Sequence, residues 1–146
     1  MQKDLVLYDG ECNMCRRMVA WCKRRDTRDL MDFVPSQMGP AHLMTPELIK
    51  STEESVHVVT TDGRTLKAGR AVLHIFGKLG WTRFEKFFSR GPILAIVEFF
   101  YGIVARNRIA FSKVLFLREA PYDYTPALPQ QKADASEEAP ASQTQA

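Results

Sequence analysis

The chain has 146 residues, 45% of them hydrophobic and 25% charged, and a formal net charge of +3. That length holds one domain with room for a tail and buries about two thirds of the surface its unfolded form exposes, so no disulfide staples are needed. Three cysteines, an odd number, also exclude a secreted disulfide framework, and the mild positive charge alone does not indicate nucleic acid.

The N-terminus runs directly into Leu5–Tyr8, an apolar stretch ended by Asp9-Gly10, which predicts a buried strand and a turn. It lacks a charged stretch followed by a long apolar one and a small-residue cleavage site, so a cytoplasmic, reducing setting is expected. Cys15, Met18, Val19 and Cys22 then fall at i, i+3, i+4 and i+7, one face of a helix that should stop near Asp26-Thr27. Met31–Pro35 reads as a second strand. Pro46 suits the first turn of a helix through Leu48 and Ile49. Val56–Thr60 is a third strand, and Asp62-Gly63 turns it into a fourth at Arg64–Lys67. A helix follows Gly69, with Val72, Ile75, Phe76 and Leu79 on one face.

The predicted order is thus β-α-β-α-β-β-α, an α/β arrangement of thioredoxin/glutaredoxin type. Additional helices follow at Arg83–Phe88 and from Pro92 to about Arg106. Within the latter, Ile93 to Val104 is almost wholly apolar. Twelve helical residues span about 18 Å against ~30 Å of hydrocarbon, too short to cross. The stretch is read as a helix packed on the sheet, with a weak membrane or protein contact as the sharper alternative. From Pro126 the chain is rich in Ala, Pro, Gln, Ser and Glu without an aromatic residue. It cannot bury enough apolar area to offset its ordering entropy. The expected division is a domain over residues 1–120 and a disordered tail over 121–146.

Cys12 and Cys15 lie where the first strand passes into the first helix. The start of a helix presents unpaired N–H groups and positive potential, both of which favour thiolate over thiol. Spacing by three residues brings the second sulfur within reach of the first across one turn. Cys15 belongs to the apolar face and should be buried; Cys12 precedes the first full turn and should be exposed. Cys12 is therefore the expected nucleophile and Cys15 the resolving thiol. Arg16 and Arg17 would favour a thiolate, whereas Asp9 and Glu11 act the other way. Asp9 has two readings, a turn residue or a carboxylate that moves the Cys15 proton. Cys22 reads as a small buried hydrophobe.

Spacing also argues against a metal role for the pair. A zinc site needs a second ligand pair, and Cys22, His42, His57 and His74 are isolated. A copper carrier would place Met where Gly10 stands. No metal site is expected. The basic run Arg16, Arg17, Lys23, Arg24, Arg25 and Arg28 suits a solvated face or an acidic partner; no nucleic-acid contact is expected, because interleaved aromatics are missing.

Tyr8-Asp9-Gly10-Glu11-Cys12-Asn13-Met14-Cys15 resembles the Tyr-Asp-Gly-x-Cys-x-x-Cys signature of the DCC family of thiol-disulfide oxidoreductases. Far downstream, Tyr101-Gly102-Ile103-Val104-Ala105-Arg106-Asn107-Arg108 is similar to that family's closing segment, and Asp62-Gly63 and Gly69-Arg70-Ala71 resemble its hairpin and next helix start. The resemblance implies a thioredoxin-like fold and protein-disulfide reductase activity, with catalytic Cys12, Cys15 and Asp9. Tyr8, Gly10, Arg16 and Ser55 are the expected substrate contacts. No resident cofactor is expected, only an external thiol reductant such as glutathione or thioredoxin. The partner would be a disulfide-containing protein or a small thiol. One departure stands out: thioredoxin-like proteins usually carry a cis-proline before the third core strand, and Glu54-Ser55 occupies that place. The Ala105-Arg106-Asn107-Arg108 block either caps the last helix or lines the site.

Overall fold

The computed structural model describes residues 3–114 and 120–124. Four strands, β1 (Asp4–Tyr8), β2 (Met31–Pro35), β3 (His57–Val59) and β4 (Thr65–Lys67), form one sheet in the order β2-β1-β3-β4. β2 is parallel to β1, whereas β3 is antiparallel to both β1 and β4. The helices are α1 (Asn13–Arg25), α2 (Pro46–Glu54), α3 (Ala68–Lys78), α4 (Thr82–Phe88), α5 (Gly91–Arg106) and α6 (Arg108–Ser112). This is a thioredoxin-like α/β arrangement extended by C-terminal helices.

β1 is central and buried along its whole length, which is why its run carries no solvent-facing polar alternation. Alternate residues serve opposite layers. Val6 and Tyr8 join Val19, Cys22, Phe33, Val58, Ala71 and Ile75, the core under α1 and α3. Leu5 and Leu7 join Val59 on the other side, against Leu43, Met44 and Leu48. Asp26 closes the turn between α1 and β2, its carboxylate accepting from Leu30 N (3.1 Å) and Met31 N (2.9 Å). Gly63, at φ +86°, supplies the left-handed residue of the β3–β4 turn.

The C-terminal helices are fastened to this core by α5. Its Glu98 carboxylate accepts from Gly69 N (3.1 Å) and Arg70 N (3.2 Å), capping the start of α3, where Lys67 offers no side-chain cap. Tyr101 Oη accepts from Val56 N at 3.0 Å, tying α5 to the α2–β3 junction.

Three details differ from the sequence expectation. β3 and β4 are shorter, three residues each. A single 3-10 turn at Ser36–Met38 follows β2. The long helix ends at Arg106 as expected, but a further short helix follows it. Asn107 is the C-cap of α5, its backbone N–H (3.1 Å) and its Nδ2 (2.9 Å) both donating to Ile103 O, and α6 begins at Arg108.

No single helix among the described residues is long and apolar enough to cross a membrane; α4 and α5 together pass by length and composition but are bent by 97°. Residues 121–124, on the tail side of the expected boundary, lie along α1. Tyr122 packs against the core, its N–H donating to Arg16 O at 3.2 Å. The expected tail beyond residue 124 lies outside the described residues.

Candidate active site

The loop between β1 and α1 is built by Asp9. Its Oδ1 accepts from Glu11 N (3.0 Å) and Gln37 Nε2 (3.3 Å), and its carbonyl accepts from Cys12 N (3.3 Å). Gly10 is required by close approach: a Cβ there would stand 2.8 Å from Pro35 Cβ and 3.0 Å from Gln37 Oε1. The loop thereby delivers Cys12 to the N-cap of α1 in extended conformation, where its sulfur accepts from Cys15 N at 3.4 Å. A cysteine thus takes the place where Ser, Thr, Asp or Asn usually satisfies a free helix N–H.

This position decides the electrostatics. A hydrogen bond from the Cys15 thiol, helped by the Cys15 N–H and the Arg108 charge, brings the Cys12 pKa down to about 6, outweighing burial and the opposing charge of Asp9. The same pairing works in reverse on Cys15. By donating to Cys12 its thiol is held protonated, and burial and the Asp9 charge push in the same direction. Burial pushes Cys22 up to about 12. One thiol of three is therefore ready to ionise near neutral pH.

The exposure pattern corrects the sequence expectation. Both Cys12 and Cys15 are half-buried; only Cys22 is buried. Cys12 is drawn in by folding back over the helix end. Cys15 is less covered than its place on the apolar face suggested, because that face opens on a cavity of about 210 Å³. Its wall is chiefly apolar: Met14, Met18, Trp21, Val72, Phe76 and Tyr101, with Asp9, Ser55 and Arg108 also contributing.

The remaining expected residues separate into two groups. Ser55 lies beside the cavity with Cys15 and Asp9. Gly10 and Arg16 lie instead along a shallow groove with Gln37, Tyr122 and Tyr124. Tyr8 backs both, 1% exposed, its phenol pKa raised to about 12 by burial. Arg16 is engaged away from Cys12. Its Nε donates to Tyr122 O (3.0 Å) and its guanidinium pairs with Asp123. Arg17 likewise turns away, donating to Ser112 O at 3.0 Å. No cis peptide bond occurs among the described residues, and Ser55 is plain extended backbone.

The basic residue that acts on the pair is Arg108. Its Nη1 sits 2.8 Å from Glu53 O and 3.3 Å from Asp9 Oδ2, joining the α5–α6 break to the β1–α1 loop. It lies in the Ala-Arg-Asn-Arg block, so the sequence carries a motif signal for it. Of the two roles open to that block, Arg108 lines the site and Asn107 caps α5. Among the described residues, no three His, Cys, Asp or Glu side chains gather as a metal-binding group.

Comparison with known proteins places the chain in a family. A model of the family described as DCC1-like thiol-disulfide oxidoreductase matches residues 6–114. The chain belongs to that family. The match includes the cysteine pair and Arg108 alike, so both halves of the site fall within it. A relative in Bacillus subtilis (strain 168), the uncharacterized protein YuxK, is 29% identical over 109 residues, covering 71% of this chain and 77% of that protein. No solved structure matches. Family membership supports a thiol-disulfide redox role for the Cys12–Cys15 pair.

Proposed function

We propose that the protein is a protein-disulfide reductase in which Cys12 attacks and Cys15 resolves. One observation carries this reading: Cys12 caps α1 with its sulfur and ionises at about 6, while its partner Cys15 is held as a thiol. The Cys12 thiolate attacks one sulfur of a substrate disulfide. That S–S bond breaks, and the departing substrate thiolate takes up a proton. With Cys12 now neutral and bonded, the hydrogen bond and charge that kept Cys15 protonated are gone. Cys15 loses its proton, attacks Cys12 Sγ and releases the second substrate thiolate, which is protonated in turn. Two electrons pass to the substrate and the pair ends as a disulfide. An external thiol such as glutathione or thioredoxin re-reduces it, as a reducing compartment such as the cytoplasm allows.

Asp9 is placed to take the Cys15 proton. It is 8% exposed, borders the same cavity as Cys15, and is oriented by Arg108 and Glu11 N. The cavity suits an apolar side chain next to the substrate disulfide. The test is turnover of insulin disulfides with glutathione as reductant. Cys12→Ser and Cys15→Ser should each abolish turnover, and Cys22→Ser should retain it. Turnover that survives in Cys12→Ser would reject the proposal.

A further inference from the structure

Helix α5 is apolar on two sides. Its inner side, Leu94, Val97, Tyr101 and Val104, faces the body of the protein. Its outer side carries Ile96, Phe99, Phe100 and Ile103 at i, i+3, i+4 and i+7, a complete helical stripe. These four are 54%, 66%, 59% and 37% exposed. The preceding helix α4 and its N-cap add exposed Trp81, Phe84 and Phe87. A helix apolar all round belongs against protein or lipid on both sides, and nothing among the described residues covers this one.

Charge indicates what covers it. Residues 81–114 hold six basic and two acidic side chains. Both carboxylates turn inward: Glu98 caps α3, and Glu85 lies 3.6 Å from His74 Nδ1. Arg83, Lys86, Arg90, Arg106 and Lys113 are exposed. Aromatic and aliphatic side chains flanked by cations match a layer of anionic headgroups over acyl chains. A second copy set against the same face would bring these cations toward one another with no exposed carboxylate from the segment to meet them. Sixteen residues of α5 give about 24 Å of helix, short of ~30 Å of hydrocarbon, so the segment suits lying in the interface plane.

We propose that the outer face of α4 and α5 docks the protein on an anionic phospholipid surface without crossing it. The test is flotation of the full reduced chain with vesicles of phosphatidylcholine alone, or with about 30% phosphatidylserine. The protein should float with the anionic vesicles and partition about tenfold more weakly on neutral ones or at high salt. Phe99→Ser/Phe100→Ser should lower partitioning about tenfold or more. Arg90→Gln/Arg106→Gln should reduce binding on anionic vesicles to near the neutral level. Each variant should keep the wild-type circular dichroism spectrum and Cys12 alkylation profile, which separates lost docking from lost folding. Cys12→Ser/Cys15→Ser should bind vesicles as the wild type does, keeping this proposal separable from the redox one. Failure to float with anionic vesicles would overturn it. So would equal binding to neutral vesicles, or a dimer that Phe99→Ser/Phe100→Ser dissolves, which would assign the face to a second copy.

Discussion

Cys12 concentrates the chemistry because three influences meet at one sulfur: a thiol donor on Cys15, a helix N–H and the guanidinium of Arg108. Asp9 opposes them while holding the loop that makes the site. The alkylation rate of Cys12 should therefore follow a titration with midpoint about 6. Charge on its two neighbours should move that midpoint in opposite directions. Arg108→Ala removes a favourable charge and should raise it; Asp9→Asn removes an opposing one and should lower it. Rapid iodoacetamide labelling with peptide mapping reads both shifts, and two variants moving the same way would refute the electrostatic account. Asp9→Asn should also slow resolution of a preformed mixed disulfide, which separates its proton-transfer role from its role in the turn.

Helix α5 holds the site from behind. The Tyr101 hydroxyl accepts from the N–H of Val56, a residue 6% exposed whose carbonyl accepts from Ala68 N (2.9 Å). Tyr101→Phe keeps the ring but leaves that donor unsatisfied, a cost of about 1–2 kcal/mol that urea denaturation should resolve. An unchanged unfolding midpoint would mean that the hydroxyl does not hold the junction. Elements such as this show where sequence reading succeeds and stops. β1 and α1 are legible because their signals are local: an apolar run, an Asp-Gly turn, then a helical period starting beside Cys12. The break at Asn107 is not, since no Pro or Gly marks it. Arg108 is harder still: 99 residues separate it from Asp9, and only the folded chain shows that they meet. Arg16 shows the converse. It is near Cys12 in sequence, yet its side chain bonds Tyr122 O and Asp123, which only the folded chain brings to it. The cysteine roles read from helix phase carry into the proposal, but the half-buried state of Cys15 depended on a cavity formed between distant elements.

At the scale of the whole molecule, two linkages make stability depend on pH. Asp4, 1% exposed at the start of β1, is joined to His74 Nε2 (2.7 Å), Lys78 Nζ (3.2 Å) and Thr61 N (2.8 Å). Burial acts to raise its pKa, but these partners outweigh burial and hold it below the ordinary 3.8. A depressed carboxylate stabilises the fold fully above its unfolded pKa and loses that contribution as pH falls through the folded one. Stability should therefore drop below about pH 4, and Asp4→Asn should flatten this part of the profile. Cys12 follows the same sign at higher pH, since its pKa is about 6 folded and 9.0 unperturbed. The reduced protein should gain stability as pH rises from about 6 to 9, and the Cys12–Cys15 disulfide form should lack that gain. Parallel denaturation profiles for the two forms would contradict the linkage. The central claim, attack by Cys12 and resolution by Cys15, is tested most directly by trapping. Cys15→Ser protein is reacted with a protein disulfide, quenched with acid and mapped by mass spectrometry. The account predicts a stable mixed disulfide on Cys12 alone, which the wild-type protein resolves; substrate bonded to Cys22, or to no cysteine, would contradict it.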